Sequence, residues 1–188
     1  MNFETIETSR LILKGISPDD MKYVFENLTK PEIKKILGHR SEEDYQKEEI
    51  KHKNGHSSYN RSFILFLLTD KESNKIIGRC GLHNWNIEHK RAEIGYIMED
   101  ESFKGKGLMT EAINAIIDYG FSKMNLNRIE ALVGIGNVPS IRLMEKYHFI
   151  KEGVLRQHCY TSDKYEDSIL FSKLYNEYIN EKNKTTNR

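Results

Sequence analysis

Cysteine is scarce in this sequence. The two residues, Cys80 and Cys159, lie far apart and in no metal-ligand spacing, so neither a disulfide framework nor a zinc ribbon is expected. The seven histidines are scattered without paired spacing, which argues against a metal centre. Charge of one sign is not in excess either: Lys plus Arg is 29 against 28 for Asp plus Glu. No net field draws the chain to nucleic acid or to an anionic membrane, and neither is expected as a partner. The longest purely apolar run, Phe63–Leu68, is much too short to span a bilayer. Met1-Asn2-Phe3-Glu4-Thr5 lacks the apolar core of a signal peptide. Repeats, linkers and low-complexity blocks are missing as well. These absences leave the expectation of a reduced, cytoplasmic protein whose 188 residues form one domain, with enough chain to bury a sizeable core.

What is there is organised around Met98–Ala112. Ala92–Met98 before it reads as a strand, and Leu108–Met124 after it as an amphipathic helix with Met109, Ala112, Ile113, Ile116, Gly120 and Met124 on one face. Between them stand Gly105 and Gly107, which let the backbone turn sharply and approach a ligand closely. The amides of the loop and first helical turn point outward at the positive end of the helix dipole. Lys104 and Lys106 add full charge. A strand, glycine loop and helix of this kind form a candidate cradle for a pyrophosphate.

Along the rest of the chain, Arg10–Lys14 reads as a first strand, and Ser17-Pro18-Asp19-Asp20 opens a helix with a capping-box pattern. Thr29–Arg40 reads as helix or loop without a choice between them. Ser41-Glu42-Glu43-Asp44 opens a charged helix running towards Asn54-Gly55, most simply a solvated face. Phe63–Leu68 is a strand covered on both faces, forming a hairpin with Lys75–Trp85. Arg128–Val133 is a strand, Asn137 caps a helix ending near His148, Phe149 begins a strand ending near Arg156, and Tyr165–Leu174 is the last strand. The polar segment from about residue 179, and Lys182–Arg188 in particular, is expected to fray. The order predicts a mixed α/β (α+β) protein with helices on a largely antiparallel sheet.

Three segments together resemble the GNAT family of acyl-CoA-dependent N-acyltransferases, and within it the ribosomal-protein N-terminal acetyltransferase (RimJ/RimL-like) branch. Lys104-Gly105-Lys106-Gly107-Leu108-Met109 is similar to the family's Arg/Gln-x-x-Gly-x-Gly/Ala loop, and Thr110-Glu111-Ala112 continues it in the manner of that branch. Asn137-Val138-Pro139-Ser140, followed by Met144–Phe149 and Glu152-Gly153, resembles the second motif. Thr8–Leu13 resembles the branch's first strand. The likeness covers about residues 8–174. It implies a twisted, mostly antiparallel sheet with helices on both faces, acetyl-CoA as cosubstrate, an amine acceptor and a homodimer. The sequence departs from the pattern at four points. Lys104 replaces Arg or Gln, and Met109 replaces Gly or Ala. His148 stands where Gly usually precedes the Phe, which calls for another form of turn or a left-handed residue. Met144 stands where many members carry a tyrosine that protonates the departing thiolate.

Acetyl transfer to an amine needs the donor held, its carbonyl polarised, the ammonium deprotonated and the thiolate stabilised. The resemblance assigns the pyrophosphate to backbone amides from Lys104 through Thr110, and the pantetheine arm to the strand edge around Ile97 and Met98. Transfer is direct, so proximity of two held reactants supplies much of the rate. Glu93 is the candidate base. Strand alternation puts it on one face with Gly95, away from Ile94 and Tyr96, and a carboxylate on an interior strand is costly unless paired or working. Its other reading is a partner for an Arg or Tyr of a neighbouring strand. Ser140, in the first turn of its helix, is the candidate partner of the thiolate or an ordinary polar residue. Asn137 is a cap first and a cofactor contact second. Tyr147 is a displaced acid or a packing residue, with its spacing favouring packing. Asn84 and Trp85 are candidates for the floor of the acceptor cleft. His158 and Cys159 lie near where some branch members carry an acidic residue, and the missing carboxylate moves weight onto Glu93. The resemblance to the branch, and that alone, makes a protein or peptide N-terminus the expected acceptor. The rivals are a small amine (polyamine, aminoglycoside or amino acid), a CoA-binding protein without turnover, and a nucleotide phosphate module. The last is weak because the loop lacks a Gly-Lys-Ser/Thr ending.

Overall fold

A computed structural model describes residues 3–54 and 62–186. The first third of the chain holds β1 (Thr5–Glu7), β2 (Leu11–Ile16), α1 (Pro18–Asn27), α2 (Lys30–Leu37) and α3 (Glu42–Asn54). Then come β3 (Ser62–Asp70), β4 (Ile76–Asn86), β5 (Arg91–Met98), a 3-10 turn at Glu101–Phe103 and α4 (Leu108–Ser122). The chain closes with β6 (Arg128–Gly134), α5 (Val138–Lys146), β7 (Ile150–Thr161), β8 (Lys164–Leu174) and α6 (Tyr175–Thr186). The strands form one sheet in the order β1-β2-β3-β4-β5-β6-β8-β7. Every neighbouring pair is antiparallel except β5 and β6, which run parallel because α4 crosses between them. The mixed, mostly antiparallel class expected from the sequence is the observed one.

Local chemistry explains most boundaries. Ser17 Oγ accepts from the Asp20 amide at 3.2 Å while the Asp20 carboxylate accepts from the Ser17 amide at 2.9 Å, closing the capping box of α1. The undecided stretch from Thr29 is helical. Glu32 accepts from the Thr29 amide at 2.8 Å and from its hydroxyl at 2.6 Å, and Gly38 ends α2 in the left-handed region at φ +70°. His148 takes the same left-handed form at φ +55°, with the Phe149 amide bonded back to the Met144 carbonyl at 2.9 Å. β7 runs beyond Arg156 to Thr161, bulging where Gln157 turns left-handed at φ +51°. The C-terminal segment expected to fray is instead helical through Thr186, because Tyr178 stacks on Phe121 with ring centroids 4.8 Å apart. The anticipated end of α3 at Asn54-Gly55 is met at Asn54, with Gly55 outside the described residues.

The sheet has two differently dressed faces. On one, Leu13, Phe66, Leu68, Cys80, Leu82, Ala92, Ile94, Ile129 and Ala131 pack with α4, Met144 and Phe149 in the main core. On the other, Ile16 and Leu67 pack with Met21, Val24, Ile33, Leu37 and Tyr45 of α1, α2 and α3. β3 therefore serves both cores, as its unbroken apolar run requires. The second face carries, across β4, β5, β6 and β8, the aligned row His83, Glu93, Glu130 and Ser172. No helix among the described residues is long and apolar enough to cross a membrane.

Near the end of that row, Arg128 donates to Glu130 at 2.7 Å and twice to Glu152 at 2.7 and 2.6 Å, and Ser172 donates to Glu152 at 2.7 Å. The Arg128 and Ser172 bonds hold the Glu152 carboxyl down to about 2, against an ordinary 4.5. A carboxylate depressed in this way stabilises the fold above its unfolded pKa, and that contribution disappears as pH falls through the folded one. Urea midpoints of the wild type are therefore expected to drop between about pH 5 and pH 2, and Glu152→Gln to flatten that decline. Coincident curves for the two proteins contradict it.

Candidate active site

β5 and β6 touch only at their first residues. Arg91, Ala92 and Glu93 align with Arg128, Ile129 and Glu130, and there the parallel register stops. From Ile94 to Met98 β5 keeps β4 on one side and has no strand on the other. Backbone donors and acceptors on that open edge need a partner from elsewhere. The wedge so formed has Glu93 at its apex, the glycine loop beyond the end of β5, and α5 beyond the end of β6.

The loop is built for close approach. Gly105 and Gly107 sit at φ +73° and +76°, and nothing stands within 4 Å of where a Cβ on Gly105 would be. Gly107 is the N-cap of α4 and has no side chain to offer the first-turn amides. Those from Gly105 to Thr110 have no backbone acceptor among the described residues. Lys104 departs from expectation, since its amide is spent on the Glu101 carbonyl at 3.1 Å and its ammonium pairs with the Glu101 carboxylate. The sequence reading missed the brace behind the loop. Arg10 donates to the Lys106 carbonyl at 2.9 Å and to Glu111 at 2.7 Å, and Thr8 donates to Glu111 at 2.6 Å. Burial pushes the Glu111 carboxyl up, but the Thr8 and Arg10 bonds outweigh it and leave its pKa below the ordinary value. Open glycines, unspent amides and the dipole of α4 together fit a pyrophosphate.

On the far side of the wedge, Asn137 accepts from the Ser140 amide at 3.2 Å, so its cap role is present. Ser140 is half-buried in the first turn of α5, while Met144 is fully buried in the main core. Tyr147 donates its phenol proton to the Thr110 carbonyl, and burial pushes its pKa up to about 12. That commitment ties α5 to the start of α4 and makes Tyr147 a structural residue. Tyr96 escaped the sequence reading, which had placed it only on the strand face opposite Glu93. Its hydroxyl is closed to solvent and forms no hydrogen bond of good geometry among the described residues, but Ser140 lies close enough to interact with it.

The acceptor side lies on the other face. Asn84 donates to Glu93 Oε2 at 2.9 Å, and His83 Nε2 stands 3.8 Å from Glu93 Oε1. The neighbours of Glu93 are thus an amide and an imidazole, not the Arg or Tyr of its alternative reading. Beside them opens a cavity of about 690 Å³ between α3 and the sheet, lined by Glu48, Lys51, Arg79, His83, Asn84 and Gly95 among others. Arg79 stands 3.5 Å from Glu48, and its Nε is 2.7 Å from Glu99 but off the N–H axis, an ionic contact more than a formed hydrogen bond. Ile97 also lines the cavity and is exposed, whereas Met98 packs against the core. Trp85 does not join Glu93. It lines an adjoining cavity of about 330 Å³ with Tyr119 and Met124, the two cavities sharing Ser62, Phe63 and Ile64. His158 Nδ1 meets Ser168 Oγ at 3.1 Å, and the exposed Cys159 thiol lies 3.5 Å from both. No cluster of three or more potential metal ligands occurs among the described residues.

A splayed strand pair, an anion-binding loop on one side and a carboxylate at the apex define the class: enzymes that hold an acyl-CoA thioester open to a nucleophile. Residues 10–150 match the family model described as "Acetyltransferase (GNAT) domain", and the chain belongs to that family. It is an acetyl-CoA-dependent N-acetyltransferase. It is 35% identical over 176 residues to the "Uncharacterized N-acetyltransferase p20" of Bacillus licheniformis, covering 93% of this chain and 98% of the relative. A mutant spermidine/spermine N-acetyltransferase of Vibrio cholerae superposes with TM-score 0.69 at 24% identity, covering 93% and 99% of the two chains. The ribosomal-protein-S5-alanine acetyltransferase of Vibrio fischeri superposes with TM-score 0.66 at 24% identity, covering 93% and 98%.

Proposed function

We propose that the enzyme acetylates the α-amine at the N-terminus of a peptide or protein, in the cytoplasm. The observation that carries this reading is the charge of the acceptor cavity. Its lining carboxylate, Glu48, is already engaged by Arg79 at 3.5 Å and Lys51 at 3.4 Å, and Arg79 also stands 2.7 Å from Glu99, so among the described residues the lining itself offers no unpaired carboxylate. A polyamine with several ammonium groups finds no free carboxylate for its second charge in such a lining. An acceptor with one ammonium and a neutral peptide arm can put the charge at Glu93 and lay the arm along the cavity.

Bound acetyl-CoA supplies the activated acyl group. Amides of the loop from Gly105 to Thr110, with Lys106, hold its pyrophosphate, and Asn137 adds a contact. The open edge of β5 at Ile97 and Met98 holds the pantetheine and polarises the acyl carbonyl. Glu93 takes a proton from the incoming ammonium, Asn84 fixes that carboxylate, and Ser140 faces the sulfur. Trp85 leaves the proposed set because it lies in the other cavity.

The test is CoA release from acetyl-CoA across Ala-, Ser- and Met-initiated peptides, polyamines, aminoglycosides and amino acids. Release above the amine-free rate with the peptides is the expected result. Release with a small amine alone overturns the acceptor and keeps the chemistry.

A further inference from the structure

The phenol of Tyr96 is closed to solvent and forms no well-shaped hydrogen bond among the described residues, so what it faces needs a reason. Tyr96 lies on the part of β5 that has already left β6, and it aligns with Cys80 on the main-core face. Ser140 approaches from the other side of the wedge, close enough to act on the phenol. Two hydroxyls from opposite walls therefore converge where the strands have parted. One helical turn further along α5, Met144 is fully buried, and a thioether has no proton to give. Tyr147 is no substitute, because its proton is committed to Thr110.

We propose that Tyr96 donates the proton taken by the departing sulfur, with Ser140 orienting the phenol. The inference rests on the acetyl-transfer chemistry above and names the residue that fills the role left open by Met144. The acceptor arrives as an ammonium and loses one proton to Glu93. Its nitrogen lone pair then forms the carbon–nitrogen bond while the carbon–sulfur bond breaks, leaving its electron pair on sulfur. Tyr96 gives its proton to that pair, and the phenolate regains one from the second proton shed by nitrogen, relayed through Ser140 and solvent. Of the two nitrogen protons, one in effect reaches sulfur and one leaves Glu93 for water. Burial raises the phenol's pKa, so its proton is in place at neutral pH.

Calorimetric titration of wild type and Tyr96→Phe with CoA, and with desulfo-CoA lacking only the thiol, tests the contact apart from turnover. The wild type is expected to bind CoA about 3–10-fold more tightly than desulfo-CoA, as one hydrogen bond allows. Tyr96→Phe should erase that preference and leave desulfo-CoA affinity unchanged. A preference retained in Tyr96→Phe, or missing from the wild type, overturns the inference. On an amine the wild type acetylates, Tyr96→Phe should lower kcat about 100-fold with little change in KM for acetyl-CoA. An equal loss of desulfo-CoA affinity makes Tyr96 a packing residue and likewise overturns it. A wild type silent towards every amine counts against the acceptor reading, while the two titrations still decide the role of Tyr96.

Discussion

Glu93→Gln is expected to lower kcat by about 100- to 10,000-fold, the range for a lost general base, with acetyl-CoA binding and melting temperature unchanged. Glutamine keeps the size of the side chain and an oxygen that can accept from Asn84, which now donates at 2.9 Å, so the loss isolates the proton-accepting carboxylate. Comparison with its neighbours singles Glu93 out. Glu130 is held by Arg91 at 3.1 Å and Arg128 at 2.7 Å, Glu152 by Arg128, and Glu48 by Arg79 and Lys51. Glu93 has an amide donor and an imidazole 3.8 Å away, and no Lys or Arg pairs with it among the described residues. A carboxylate already neutralised by a guanidinium is a poor base, and this one carries no such partner there. His83 is 45% exposed and stands 3.8 Å from Glu93, beyond a hydrogen bond, so His83→Ala should have a much smaller effect on kcat, under about tenfold. Initial rates over a pH series, normalised to bound CoA, make the measurement. A Glu93→Gln rate within twofold of wild type removes Glu93 from the chemistry and turns attention to His158.

The parts of this enzyme legible in the sequence are those fixed by local interactions. The Ser17 box, the Asn137 cap, the two left-handed glycines and the alternation that faces Glu93 away from Ile94 each follow from a few neighbouring residues. α2 was legible in principle, since Thr29, Pro31 and Glu32 spell a helix start that the charged sequence around them obscured. The brace of Thr8 and Arg10 on Glu111 was not, because its partners are about a hundred residues apart and ordinary polar residues at each end. Tyr96 was hidden for a related reason. Alternation tells which face a strand residue takes, but not that the next strand has diverged and that Ser140 of α5 faces its hydroxyl. Trp85 shows the converse error: proximity in sequence to Asn84 suggested a shared cleft, yet Asn84 takes φ +49° at an irregular part of the strand and the two line different cavities. The last helix was misread because polar composition was allowed to outweigh Tyr178.

That helix carries the second large effect. Glu181→Ala is expected to destabilise the fold by about 2–3 kcal/mol, lowering the melting temperature by about 4–12 °C. The reason lies in Lys173, whose side chain is 2% exposed on β8. Its ammonium donates to both oxygens of Glu181 at 2.7 Å and to the Tyr147 carbonyl at 2.7 Å. Without Glu181 the buried charge keeps one carbonyl and no counter-ion, an arrangement that costs about 3–5 kcal/mol when fully enclosed. Glu181 itself is 40% exposed, so water recovers part of the loss and the lower figure applies. The consequence reaches the active site through a continuous relay: Lys173 holds the carbonyl of Tyr147, and the Tyr147 phenol holds the carbonyl of Thr110 in the first turn of α4. Loosening α6 should therefore also raise KM for acetyl-CoA severalfold while leaving the Glu93 chemistry intact. Lys173→Met removes charge and counter-ion demand together and should cost less than Glu181→Ala, because an unbranched apolar chain fits the same buried path. Adding Glu181→Ala to Lys173→Met should then cost less than Glu181→Ala alone, since the pair interaction is already gone. Thermal melts of the four proteins give the cycle, and additive losses from the two substitutions would mean that the Lys173–Glu181 pair does not hold α6, leaving that to the contacts of Tyr178 and Lys182 with α4.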